Sequence, residues 1–385
     1  MINPRVAFIT AIVIAGCGGR TSVVQSGGPA PVTRAVGVKK APVAASYDTI
    51  RPLATLGKGW NRVPGRTGTG CAHDSAFSFK VRPGLPDKVL IFLNGGGACW
   101  RAADCDPHGR HTYTMTADSA NDVAVRAGVF DVGNEKNPLR DFTMVFVPSC
   151  TGDAHLGTRE TEYDYAKGTF SVRHGGGANI GAVLDWVYTN LRRPAIVVVA
   201  GVNTGGIATP VVAEKVQRHY PRASVVQLAD GSGGLRAESV PSILAGWGAA
   251  DYLADDPAFR SLDSSEVTFE HLYVGASRVA PRVHYAQVNA ADDASQVALL
   301  AQLGVKGAPL RGMIAANYAA LRDSVPWFHT YTTSGKASTM LRSNALYTAR
   351  VGGVLFRDWL ESLVNFESVE DVGDKLLATT ATKKK

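Results

Sequence analysis

Gly201-Val202-Asn203-Thr204-Gly205-Gly206 is the stretch whose residue types and spacing bear most directly on chemistry. It follows the apolar, β-branched run at 196–199, which reads as a central strand buried on both faces. Residues 207–220 then show helical spacing of apolar side chains, ending at Pro221. Strand, glycine-pinched turn and helix make the setting of a nucleophile elbow, G-x-S-x-G, where small residues let one side chain stand at positive φ above a sheet. The nucleophile's position is 203, and it holds Asn. A carboxamide has no ionisable hydroxyl or thiol, so it cannot begin acyl transfer as serine does. Asn does tolerate positive φ, so the turn can persist while its chemistry is lost.

An elbow works only with partners. The apolar strand expected at 88–93 runs into Asn94-Gly95-Gly96-Gly97-Ala98. A glycine run at a strand end brings backbone N–H groups close to a ligand, as in the oxyanion hole of α/β-hydrolases. In that chemistry acid and base follow the nucleophile in chain order, each at the carboxyl end of a strand. The strand expected at 284–288 points to Asp293 as the acid, with Asp292 as the near alternative. The last strand, expected at 327–333, leads into a loop at 334–340 that contains no histidine. His155, His174 and His329 read as structural or surface histidines rather than relocated bases. Ser232, in Asp-Gly-Ser-Gly-Gly, lacks the order of a protease motif. Asp153 and His155 have no further ligands at convincing spacing, so neither metal nor cofactor is expected.

Further strands are expected at 141–148 and 224–228, and helices at 177–191, 309–321 and 356–364. The alternation of strands and helices predicts an α/β fold: a doubly wound, mostly parallel sheet with helices on both faces.

Composition is compatible with one large α/β domain. The chain has 385 residues, 45% hydrophobic and 19% charged. Its formal charge of +7 is dispersed apart from Lys383-Lys384-Lys385 and reads mainly as solvated surface, with an acidic partner such as a polyanionic glycan or a membrane surface as a secondary reading. No basic–aromatic pattern argues for nucleic acid. Residues 1–17 read as an export leader: Arg5, a short apolar core, then Ile14-Ala15-Gly16-Cys17, which looks like a bacterial lipobox. Cys17 would then carry lipid and anchor the protein to the cell envelope, and Gly18 favours the outer membrane by resemblance to lipoprotein sorting rules. Residues 18–47, rich in Gly, Pro, Ser, Ala and Val, read as a tether, 48–375 as the folded domain and 376–385 as a basic tail. In an oxidising compartment the four remaining cysteines read as two disulfides with three possible connectivities. Cys99 and Cys105 are close enough to staple one loop, which leaves Cys71 with Cys150.

These motifs in combination resemble the pectin acetylesterase/Notum family, especially its bacterial lipoprotein-type members, from about Cys71 to Asp371. IFLNGGGACW (91–100) is similar to the family's glycine-rich oxyanion segment, CTGDAHLG (150–157) to its Cys-Thr/Ser-Gly-Asp-x-His-x-Gly segment, and HGGGAN (174–179) to the stretch before a helix. GVNTGG (201–206) aligns with G-x-S-A-G-G, DDASQ (292–296) with the acid segment, SGKASTML (334–341) with the segment of the catalytic histidine, and VLFRDWLESL (354–363) with the closing helix. The resemblance implies a serine carboxylic-ester hydrolase fold with oxyanion donors at Gly96, Gly97 and Thr204. It places Asn203, Asp293 and Ser338 at the positions of serine, acid and histidine.

A carboxylate without histidine has no base to orient, and an elbow without serine has nothing to deprotonate. The expectation is a catalytically inactive member that keeps a cleft for an acylated glycan or another cell-surface ligand. A second reading is an active ester hydrolase with an unconventional nucleophile, and a third an envelope-anchored interaction module. Mass spectrometry of the mature amino terminus should find a diacylglyceryl-modified Cys17. An intact Met1, or a free Cys17 thiol, would refute the anchor.

Overall fold

The computed structural model describes residues 50–117, 126–166, 168–307 and 309–378. The leader with Cys17, the tether 18–47 and the last seven residues of the basic tail lie outside the described residues. In chain order the strands of the main sheet and of one hairpin beside it are β1 (Asn61–Pro64), β2 (Ser78–Arg82), β3 (Leu85–Leu93), β4 (Phe142–Val147), β5 (Arg159–Tyr165), β6 (Gly168–His174), β7 (Ile196–Val202), β8 (Ser224–Asp230), β9 (His284–Ala290) and β10 (Phe328–Thr333). Eight of them form one sheet in the order β1-β2-β4-β3-β7-β8-β9-β10. Every pairing from β4 to β10 is parallel, while β1–β2 and β2–β4 are antiparallel. The result is an α/β-hydrolase-like sheet, and the expected alternation of strand and helix breaks only at its antiparallel edge. β5 and β6 form a separate antiparallel hairpin.

The apolar runs dictate where the core lies. Side chains alternate across a strand, so a run without polar positions must be covered on both faces. In β7, Val197 and Val199 enter one buried cluster and Val198, Ala200 and Val202 the other. In β3, Val89, Ile91 and Leu93 take the first face, and Leu90 and Phe92 the second. The helices Gly176–Asn190, Thr204–His219, Phe269–Val279 and Leu310–Arg322 cover the first face through residues such as Val183, Val211, Leu272 and Ile314. The helix Phe356–Val364 covers the second with Phe356, Trp359, Leu360 and Leu363, beside an aromatic group of Phe92, Phe130 and Phe146. The turn Asp374–Leu377 brings Leu377 into the first cluster, inside the stretch expected as tail. Among the described residues no helix is long and apolar enough to cross a membrane.

Parallel strands aim their carboxyl ends the same way. β3, β7, β8, β9 and β10 therefore deliver the glycine run, Asn203, Gly231, Asp293 and Ser338 to one edge of the sheet. Two disulfides, Cys71–Cys150 and Cys99–Cys105, secure the loops on that side. The first spans 79 residues and the second 6. On a chain-entropy account, replacing the first pair by alanine should cost about 4 kcal/mol of stability and the second about 2 kcal/mol. Urea unfolding of the two double variants checks both the order and the size.

Candidate active site

β7 ends at Val202, and the next residue turns the chain into the helix Thr204–His219. Asn203 makes that turn at φ 50° and ψ −125°. These are the angles of the first central residue of a type II′ turn, a conformation taken by Gly, Asn and Asp. Its N–H donates to the Asp230 carbonyl at 2.8 Å, and its carbonyl accepts from Gly206 N–H at 3.0 Å. The flanking glycines are required by contact. A Cβ on Gly201 would lie 2.6 Å from the Gly205 carbonyl oxygen, and one on Gly205 2.3 Å from that of Leu93. The elbow geometry survives intact around an amide.

The side chains from the three separate loops meet. Ser338 Oγ donates to Asn203 Oδ1 at 2.9 Å. A methyl group on Gly231, whose φ is +77°, would sit 2.9 Å from Asn203 Oδ1, 3.1 Å from Asp293 Oδ2 and 3.5 Å from Ser338 Oγ. Asp293 is fully buried and caps the helix Ala294–Gln302, its Oδ1 accepting from the N–H groups of Ser295 at 2.8 Å and Gln296 at 3.2 Å. Asp292 instead pairs in bidentate fashion with Arg311, at 2.7 and 2.6 Å. Of the two acids, Asp293 faces the elbow.

The Thr204 hydroxyl turns into the glycine run. Its Oγ1 accepts from Gly96 N–H at 3.3 Å and donates to the Gly97 carbonyl at 3.3 Å. Gly97 stays glycine because it stands at φ +74° with its Cα against Thr112, whose carbonyl oxygen a Cβ would meet at 1.9 Å. A cavity of about 480 Å³ opens beside these groups, reaching Asn203, Thr204 and Gly231 at its base and Leu235, Ala298 and Leu299 on its apolar wall.

The histidines lie elsewhere. His155 is buried with Nε2 donating to the Asn94 carbonyl at 2.8 Å, and burial holds its pKa down. His174 is clasped by the Thr151 carbonyl at 3.0 Å and the Tyr163 hydroxyl at 2.8 Å, and burial lowers its pKa too. Between them Asp153 accepts from Thr151 Oγ1 at 2.7 Å, His155 N–H at 3.1 Å and Gly176 N–H at 2.7 Å. The segment 150–157 is thus a polar brace for the glycine run and the helix that follows. His329 is the second residue of β10, at the opposite end of that strand from Ser338, with its ring 5.8 Å from that of His284. None of the three reaches Asn203.

Residues 65–238 match the sequence profile of the family described as Pectinacetylesterase. Over that stretch the chain is similar to this family. The matched pectinacetylesterase segment contains the glycine run, the 150–157 brace and the elbow, while Asp293 and Ser338 lie beyond it. No curated protein matches the chain.

Two residues near the pectinacetylesterase-type elbow were not read from sequence. Asp230, the last residue of β8, is buried, and its Oδ2 accepts from Leu341 N–H at 2.7 Å, fixing the loop that carries Ser338. Burial, assisted by the charge of Asp293, pushes its carboxyl up to about 7. Arg342 donates to Asn94 Oδ1 at 2.6 Å and lies over the Phe146 ring, with no carboxylate partner among the described residues. The only sequence signal was the Asp-Gly pair ending a strand, which reads as a turn.

A carboxyl whose folded pKa is raised adds stability below its unfolded pKa and loses it as pH rises through the folded value. For Asp230 that window runs from 3.8 to about 7. Relative to Asp230→Asn, the natural chain should therefore lose stability as pH rises across the window, measured as the difference in melting temperature. A constant difference would mean that Asp230 does not titrate there.

Proposed function

We propose that this pectinacetylesterase-family chain binds an acylated ligand in the cleft above its elbow and does not hydrolyse it. The observation that carries the reading is the hydrogen bond from Ser338 Oγ to Asn203 Oδ1. It joins the two positions where a nucleophile and its base would meet, and neither residue can play that part. With Oδ1 engaged by Ser338, the amide NH₂ of Asn203 is the group left to meet a ligand carbonyl. Such a contact holds an ester and does not attack it. Thr204 does not serve as a substitute nucleophile, since its hydroxyl is engaged by Gly96 and Gly97 and no histidine is near it. The apolar wall of Leu235, Ala298 and Leu299 suits a small acyl group. Arg342, a half-buried cation without a carboxylate partner among the described residues, suits an acidic glycan bearing it. Export and lipid attachment at Cys17, inferred from sequence, would keep the cleft at the cell envelope.

Losing one member of a serine-type triad costs about six orders of magnitude in turnover, and losing the second adds little. The natural chain should therefore show no turnover of a small activated acetyl ester and no labelling by a fluorophosphonate. The single changes Asn203→Ser and Ser338→His should also be inactive. The double variant should gain weak activity. Adding Thr204→Ala should raise it by a further factor of about 10² by freeing the Gly96 N–H, the usual worth of one oxyanion donor. The natural chain should still bind an O-acetylated acidic oligosaccharide in calorimetry, and Arg342→Ala should weaken that binding about tenfold. Turnover by the natural chain would overturn the proposal.

A further inference from the structure

We infer that Asn203 is a self-modification site, where the main-chain nitrogen of Thr204 attacks the side-chain amide to give a cyclic imide that water opens to aspartate. The evidence begins with the backbone. At ψ −125° the tetrahedral geometry at Cα turns Cβ to eclipse the Thr204 nitrogen, the arrangement that a ring through Cα, Cβ, Cγ and that nitrogen demands. An ordinary Asn visits this conformation rarely because it combines positive φ with strain of about 1–3 kcal/mol. Here the elbow imposes it permanently.

The reacting groups are also prepared. Ser338 Oγ–H donates to Asn203 Oδ1, so a donor already faces the oxygen on which negative charge develops during attack. Thr204 is the first residue of the helix Thr204–His219, where no helical carbonyl accepts its N–H and the dipole favours negative charge. The adjacent cavity of about 480 Å³ gives water a route to Asn203.

In the first step a bond forms between Thr204 N and Asn203 Cγ, and the Cγ–Nδ2 bond breaks. The Thr204 amide proton leaves with the departing nitrogen as ammonia. In the second step water adds to Cγ, the Cγ–N bond breaks, and the Thr204 nitrogen regains a proton. No oxidant or reductant is needed. Opening at the main-chain carbonyl instead would lengthen the backbone by one carbon at the elbow. There Gly201 and Gly205 already lack room for a Cβ, at 2.6 Å and 2.3 Å from neighbouring carbonyl oxygens, so aspartate is the product. A carboxylate then replaces an amide at the elbow.

The fold reverses the order that the sequence alone would give. Asn94-Gly95 is the unhindered pair, with no side chain on the attacking residue. Yet Asn94 is fully buried, with Oδ1 held by Arg342 at 2.6 Å. Asn203 precedes a β-branched threonine and reacts only because of its conformation.

The purified natural chain is incubated in mildly alkaline heavy-oxygen water, folded in one sample and in urea in another, and peptide masses are followed over time. Label should enter residue 203 of the folded chain at least about tenfold faster than in urea, a small part of what a near-attack geometry can supply. Asn94 should show the opposite preference, fast in urea and slow when folded. Ser338→Ala should slow the reaction at 203 severalfold, with folding confirmed by its unchanged melting curve. Equal or slower conversion of Asn203 in the folded chain would overturn the inference, and an unchanged rate in Ser338→Ala would remove Ser338 from it. The readout is a mass, independent of ligand binding and turnover.

Discussion

The carboxyl edge of the sheet depends on how closely the elbow's main chain presses against the turn that follows β3. Gly95, Gly201 and Gly205 allow this approach, since a Cβ on Gly95 would lie 2.7 Å from the Val202 carbonyl oxygen and 3.0 Å from the Asn203 side chain. Contact at that range requires residue 203 to stand in the left-handed region and raises its side chain above the sheet. The requirement concerns backbone alone. It is met by asparagine as by serine, so the form of the elbow does not depend on which of the two stands there.

The same separation of scaffold from chemistry recurs around it. Asp153, His155 and His174 are fully or almost fully buried, and each finds hydrogen-bond partners within its own loop, its hairpin or the glycine run. Such groups are costly to bury unless satisfied, and removing one would strand the others. Their role is therefore in folding. Thr204 differs. Its hydroxyl occupies the Gly96 N–H and so closes that donor to a ligand.

The interior strands were legible because a β-branched run buried on both faces has few other structures open to it. The match extends to β3, β4, β7, β8, β9 and β10. The hairpin β5–β6 was not, since Arg-Glu-Thr-Glu-Tyr-Asp-Tyr buries only Thr161 and Tyr163 and takes its shape from pairing with β6. The antiparallel edge β1–β2 is short and escaped for the same reason. At the site, chain order and strand ends sufficed to bring Asn203, Asp293 and Ser338 to one place. They could not give the direction of the Thr204 hydroxyl, a matter of one rotamer, nor the burial of Asp230, which depends on the loop packed over it. The pairing of Cys71 with Cys150 was readable only because proximity in sequence assigned the other two cysteines first.

The contacts that knit the cleft join distant parts of the chain. Ser338 and Asn203 are 135 positions apart, Leu341 and Asp230 are 111, and Arg342 and Asn94 are 248. Loops of that length must close before any of these bonds can form, and closure entropy is paid before the contact rewards it. The cleft therefore forms only when segments remote in sequence have come together, and a loop that detaches from it breaks these bonds without unpairing the strands beneath.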